Sequence, residues 1–187
     1  WEGPVVRNLA TTHMLDRMAE DYGEKCYEVP VGFKYISAKL DEVDAILGGE
    51  SSGGLTVRGH IFGKDSIYAA ALFVEMMCAT GKSPSEFWRE LTGKYGEHVM
   101  VEDNLVFRPE DKESINRTVM IEKRLPDFGK TIERVGYEDG CKVYFTDGSF
   151  VICRFSGTEP LLRIFAESGD EASARALTER FKNFLRI

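Results

Sequence analysis

The chain has 187 residues, a formal net charge of −7, 43% hydrophobic and 29% charged residues. That length suits one large domain or two small ones, and the composition is that of an ordinary soluble globular protein. The acidic balance argues against nucleic acid as the main partner, and no apolar run is long enough to span a bilayer, so neither nucleic acid nor a membrane is an expected partner.

Val5–Ala10 is a short apolar strand, and Thr11-Thr12 supplies the cap of a helix in which Met14, Leu15 and Met18 recur at helical spacing through Tyr22. Glu24–Val31 is a second extended segment, followed by Gly32-Phe33-Lys34 and a short polar helix through Asp44. Ala45-Ile46-Leu47 is a buried strand running into Gly48-Gly49-Glu50-Ser51-Ser52-Gly53-Gly54. Strand and helix alternating in this way predict a mixed α/β layer with ligand loops at strand ends. Asp65 or Ser66 caps a helix over Ile67–Thr80, which is dense in Ala, Leu, Phe and Met and is expected to be buried, with Gly81 as its stop. Ser83-Pro84-Ser85-Glu86 is a capping box opening a further helix to about Lys94.

Composition changes here, and the domains are expected at 1–100 and 101–187, with a hinge at about Val99–Pro109 that closes over substrate. Asp111–Leu125 should be a helix with Ile115, Val119 and Ile121 on or near its inner face. Asp139-Gly140 and Asp147-Gly148 are hairpin signals between strands at about Ile132–Tyr137, Cys141–Phe145 and Ser149–Cys153. A fourth strand, Leu161–Glu167, precedes a helix capped by Gly169-Asp170 with one apolar stripe from Ala172 to Leu185. The second unit is thus expected to be a small antiparallel α+β domain with a four-stranded sheet and flanking helices.

The strongest candidate site is Arg154-Phe155-Ser156-Gly157-Thr158-Glu159-Pro160, with Arg163 following. Two guanidinium forks, two hydroxyls and a glycine turn can hold an oxyanion, most readily a phosphate. The alternative is a plain turn with two solvent-facing arginines. In an acidic chain, however, a phosphate site has to be built locally from clustered basic residues. In the second candidate, Glu50 can accept and Ser52 can accept and donate hydrogen bonds, the pattern that neighbouring sugar hydroxyls require. A flexible Gly/Ser loop accounts for it as well. Gly32 and Lys34 form a Gly-aromatic-Lys turn, and His60 and Lys64 lie in the loop before the start of a helix. Each is by itself more simply a turn, a surface histidine or a solvated lysine. Lys64 there could attract phosphate, while Asp65 serves as cap. His13, His60 and His98 are scattered, no nucleophile–base pair is suggested by spacing, and no Asp cluster resembles a magnesium site. Cys26, Cys78, Cys141 and Cys153 lack the spacing of a zinc or redox motif, so free thiols in a reducing, cytoplasmic setting are expected.

These motifs resemble, in order, the C-terminal half of the α-D-phosphohexomutases, the phosphoglucomutase/phosphomannomutase family. Val31-Gly32-Phe33-Lys34-Tyr35-Ile36 is similar to the Gly-aromatic-Lys segment of domain three, and Gly49–Gly54 to its sugar-recognition loop. Gly63-Lys64-Asp65-Ser66-Ile67 is similar to its Lys-Asp-Gly-Ile run, with Ser66 in place of Gly. Arg154–Pro160 with Arg163 is similar to the phosphate loop of domain four. The resemblance implies an enzyme that moves a phosphoryl group between the 1- and 6-hydroxyls of a hexose through a phosphoserine and a bisphosphorylated sugar. It implies a magnesium ion held by an Asp-rich loop, and neither that loop nor the serine is in this sequence. The expectation is therefore a substrate-binding half, inactive alone, whose partners are a hexose phosphate and N-terminal domains of the same protein. The absence of an initial Met also suggests a fragment, and Val5–Ala10 looks like an internal strand. A phosphoglucosamine mutase-type half, a non-catalytic phosphosugar-binding module and a structural module without ligand remain the alternatives.

Overall fold

The computed structural model describes residues 1–157 and 159–186; Thr158, one of the expected phosphate ligands, lies outside the described residues. The chain divides into two compact units, Trp1–Glu97 and a second from His98 onward.

In the first unit the elements are β1 (Val5–Asn8), α1 (Met14–Asp21), β2 (Cys26–Val29), α2 (Phe33–Glu42), β3 (Leu47–Gly49), β4 (Leu55–Val57), α3 (Ser66–Thr80) and α4 (Pro84–Tyr95). The sheet order is β2-β1-β3-β4. β1 pairs in parallel with both β2 and β3, and β4 returns antiparallel to β3. β1 is therefore an interior strand, as its apolar sequence implies. The crossover through α1 runs one way along the sheet and the crossover through α2 runs back. Since such crossovers keep one hand, the two helices fall on opposite faces. Ile36 and Leu40 of α2 pack with Val6, Val29 and Ala45, while Leu15 and Met18 of α1 share a cavity with Val5 and Leu47. Val5 and Val6 are adjacent strand residues and point to opposite faces.

The helix signals act where the sequence puts them. The Asp65 carboxylate accepts from the amides of Ile67 (3.1 Å) and Tyr68 (2.9 Å). Gly81 ends α3 in the left-handed region, and Ser83 and Glu86 form the capping box of α4. The N-cap position of α1 is His13 rather than either expected threonine; Thr12 Oγ1 does accept from the Met14 amide at 3.1 Å, and Thr11 is drawn to another task. One expectation fails. α3 is as apolar as predicted, yet it has no buried residue, and Ile67 is 83% exposed and Val74 52%. Apolar content fixed the helix but did not determine what would cover it.

The second unit is a five-stranded antiparallel sheet, order β5-β9-β8-β7-β6. Its strands are β5 (Val99–Val106), β6 (Ile132–Gly136), β7 (Cys141–Phe145), β8 (Phe150–Phe155) and β9 (Leu161–Ser168). The fold class is as expected, but the sheet has five strands rather than four, because Val99–Val106 pairs with β9 over all eight residues. That pairing also removes the expected hinge from Val99–Val106, since a strand held along its length cannot flex there. α5 (Asp111–Asn116) continues into a π-helical turn over Arg117–Ile121 and stops short of Leu125. It buries Ile115 and Val119 but leaves Ile121 69% exposed. α6 (Glu171–Leu185), capped by Asp170, lays Ala174, Leu177 and Phe181 on the same core. Cys141 and Cys153 are opposite one another in the β7–β8 register, buried and free, a proximity invisible in their sequence spacing. Burial pushes the Cys141 thiol up to about 11.

Phe181 is fully buried and meets Phe128 edge-on at 5.3 Å. Phe181→Ala should destabilise the protein by about 3–5 kcal/mol, because the cavity it leaves cannot fully close. Urea unfolding followed by circular dichroism measures this, and a loss below about 1 kcal/mol would place Phe181 outside the core.

Candidate functional site

In the first unit, Asn8, Gly32 and Glu50 each lie at or just beyond the C-terminal end of a parallel strand, β1, β2 and β3 respectively. Because α1 and α2 leave on opposite faces, a crevice opens between β1 and β3, the usual ligand position in such sheets. Glu50 spans it. Its side chain is only 5% exposed, yet it carries a full set of partners. Asn8 Nδ2 donates to Glu50 Oε2 at 3.1 Å and Ser52 Oγ donates to Oε1 at 2.9 Å, while Lys64 Nζ pairs with Oε1. The loop is tied at its base by the Glu50 amide donating to the Gly54 carbonyl at 2.9 Å. A Cβ on Gly54 would stand 2.9 Å from Glu50 Oε1 and 3.0 Å from Lys64 Cε, so only glycine leaves this pair its room.

The structure therefore joins Glu50, Ser52 and Lys64, and it brings Lys64 to within 5.8 Å of the Phe33 ring in the turn after Gly32. Lys34 lies exposed on the first turn of α2 with its ammonium 4.8 Å from the Tyr35 ring. His60 turns to α3 instead. Its Nε2 is 3.0 Å from Asp65 Oδ2 and its ring stacks on Tyr68 at 3.9 Å. The Asp65 carboxyl is held below the usual range, first by the Tyr68 amide and then by His60.

Beside this group lies a buried cluster that the sequence reading passed over. Arg7, 3% exposed, donates through Nε and Nη2 to Asp16 (2.6 and 2.9 Å) and through Nη1 to Glu28 (2.6 Å). Burial alone would lower the Arg7 pKa, but the two carboxylates more than offset it and raise it. Arg7-Asn8 is a polar pair at the end of an apolar strand. Buried polar groups are uncommon enough for that pair to have been the signal.

In the second unit, Arg154 of β8 and Arg163 of β9 are directly opposite, so both side chains lie on one face of the sheet. Both are engaged by carboxylates. Arg154 Nε and Nη2 reach Asp139 at 3.2 and 3.4 Å. Arg163 Nη2 donates to Glu159 at 2.6 Å, and its Nη1 is 3.6 Å from Glu102. Among the described residues, Arg163 Nε is buried with no hydrogen-bond partner. The Asp139-Gly140 turn can lie against β8 only because Gly140, at φ +91°, has no Cβ; one would come within 2.5 Å of Arg154 Cβ. In the loop itself the Ser156 amide donates to the Leu161 carbonyl at 2.8 Å, closing the turn rather than pointing at a ligand. Gly157 stands in open space. The sequence reading took Asp139 only as a hairpin signal and gave Asn8 no site role, because each acts through a partner remote in sequence.

An apolar cavity of about 630 Å³ in the first unit involves Val5 and Leu47 at the strand starts, away from Glu50, and lacks its convergent polar groups. Among the described residues no group of three or more His, Cys, Asp or Glu side chains is arranged to hold a metal ion, so none of them is assigned to magnesium. Among the described residues no helix is long and apolar enough to cross a membrane.

A family profile for the α/β/α domain III of phosphoglucomutase/phosphomannomutase matches residues 1–95, and one for the C-terminal domain of the same enzymes matches residues 109–184. The chain belongs to the phosphoglucomutase/phosphomannomutase family. It is 32% identical over 95% of its length to the phosphoglucomutase/phosphomannomutase of Thermococcus kodakarensis. It is 31% identical, again over 95%, to the phosphoglucosamine mutase of Rubrobacter xylanophilus. In each case it spans 36% of the relative's length. A crystal structure of a phosphoglucomutase/phosphomannomutase family protein from Burkholderia thailandensis shares the fold over 98% of this chain and 37% of that one, with a TM-score of 0.74 at 24% identity. In this member of the family, then, the arginine pair and the Glu50 group sit on the two matched domains.

Exposed ion pairs contribute little, about 0–1 kcal/mol, so Glu159 holds Arg163 only weakly. Glu159→Gln should tighten inorganic phosphate binding several-fold by removing the competitor. Calorimetric titration reads the change, and unaltered affinity would mean that Glu159 does not compete.

Proposed function

We propose that this chain is the sugar- and phosphate-binding part of a phosphohexomutase that interconverts hexose 1-phosphate and hexose 6-phosphate. Glu50 accepts from ring hydroxyls and Ser52 completes the hydrogen-bond pattern. Arg154, Ser156, Gly157, Thr158 and Arg163 hold the phosphate that is not being transferred. The observation that carries this reading is Glu50, a nearly buried carboxylate fixed in a strand-end crevice of a family domain. Its Oε1 pairs with a half-exposed lysine, Lys64, whose place a sugar hydroxyl can take as donor.

Lys64, Lys34 and Gly32 are second-rank candidates for the reacting end, and His60, held by Asp65 and Tyr68, would have to turn back to join them. Lys64 is half exposed, so it can leave Glu50 when a phosphate or hydroxyl arrives. The chemistry is assigned to domains outside this chain, which spans 36% of the length of its Thermococcus and Rubrobacter relatives. The phosphoserine and the magnesium ion belong there, where the metal neutralises charge on the transferring phosphoryl group. The chain alone is then a binder and not a catalyst, and a reducing, cytoplasmic setting suits its four free cysteines. A mutase acting on an amino sugar phosphate is the second reading, favoured by the Rubrobacter relative at nearly the same identity.

Arg163→Ala should weaken hexose phosphate binding by about ten- to a hundred-fold, the cost of losing a charge-assisted contact. In an enzyme completed with the preceding domains, KM should rise correspondingly. Unchanged affinity and unchanged KM and kcat would remove Arg163 from the site.

A further inference from the structure

Glu50 is fixed from behind by two residues with no assigned role, Asn8 and Thr11. Both are buried, at 2% and 6% exposure. Asn8 Oδ1 accepts from the Ala10 amide and from Thr11 Oγ1, each at 2.9 Å. Thr11 Oγ1 in turn accepts from the Ser51 amide at 3.1 Å. The orientation of the Asn8 side chain follows from chemistry. A backbone N–H can only donate, so the atom facing Ala10 is the oxygen, and the NH₂ group must face the Glu50 carboxylate, which accepts. One continuous set of hydrogen bonds thus runs from the end of β1 to the loop after β3. It engages Glu50 Oε2 from the scaffold side and leaves Oε1 with Ser52 and the half-exposed Lys64.

We propose that Asn8 and Thr11 are positioning residues that commit one oxygen of Glu50 to the scaffold and present the other to a sugar hydroxyl. This rests on the sugar-binding reading of Glu50 given above. Asn8 sets which carboxylate oxygen faces the ligand, and Thr11 fixes the Ser51 amide and with it the loop that carries Glu50 and Ser52. Neither touches the ligand. Their effect is on orientation, where small displacements cost much. Asp at position 8 would be as harmful as Ala, because it would set a carboxylate against Glu50. Ser at position 11 would keep the hydroxyl and should substitute for Thr.

The test is calorimetric titration of this chain and its variants with glucose 6-phosphate and, separately, with inorganic phosphate. Asn8→Ala and Asn8→Asp should each weaken glucose 6-phosphate by about ten- to a hundred-fold. Thr11→Val should weaken it several-fold and Thr11→Ser should restore it, while inorganic phosphate affinity stays within about twofold throughout. The Thr11→Val and Thr11→Ser pair decides the matter if the Asn8 variants do not fold. Asn8→Ala and Thr11→Val binding glucose 6-phosphate like the unaltered chain, with Glu50→Gln losing it, would overturn the positioning role alone. If the unaltered chain does not bind glucose 6-phosphate, or Glu50→Gln binds it normally, the sugar-binding reading fails and the positioning role falls with it.

Discussion

The parallel pairing of β1 with a strand on each side is the constraint on which the first unit depends. Parallel neighbours cannot be joined by a tight turn, so the chain must cross over through α1 and then back through α2. The fixed hand of those crossovers sends the helices to opposite faces and opens the β1–β3 crevice. Everything polar in the unit's candidate site uses that crevice. Asn8 comes from one wall, Glu50 from the other, and Lys64 reaches in from the loop before α3. A carboxylate this buried would be costly if left alone. Here its partners offset that cost and fix its direction as well.

The second unit reaches its candidate site by antiparallel register. Pairing Arg154 with Arg163 puts two positive groups side by side on one face, which is unfavourable unless anions intervene. The protein supplies them with Asp139, Glu159 and Glu102. Their roles differ. Asp139 sits in a turn pressed against β8 and aligns a mostly buried Arg154. Glu159 belongs to the exposed loop and holds Arg163 through a contact that an incoming anion can replace.

Most helix ends and the hairpin turns were legible, because each is set by residues within a few positions of one another. Asp65, Gly81, the Ser83–Glu86 box and Asp170 all act at the helix ends where the spacing puts them. Coverage was not legible. α3 has the composition of a buried helix and buries no residue, since apolarity states what a helix tolerates and not what lies beside it. The fifth strand was missed for a related reason. Its partner β9 lies some sixty residues on, so nothing near Val99–Val106 marks the pairing.

By itself the sequence determined the chemistry on offer: Glu50 and Ser52 among glycines, two arginines around a turn, and the order of motifs that marks the family. These are local facts, carried by neighbouring residues. Only the tertiary structure decided which of them act together. It joined Lys64 to Glu50 while turning His60 away to Asp65 and Tyr68, and it left Lys34 exposed. It used the Ser156 amide to close its loop, and it brought Asn8 and Thr11 behind the Glu50 loop across some forty residues of chain. The reason is geometric. A carboxylate's partners are set by sheet order and by the twofold alternation of strand side chains, and neither is written in the residues next to it.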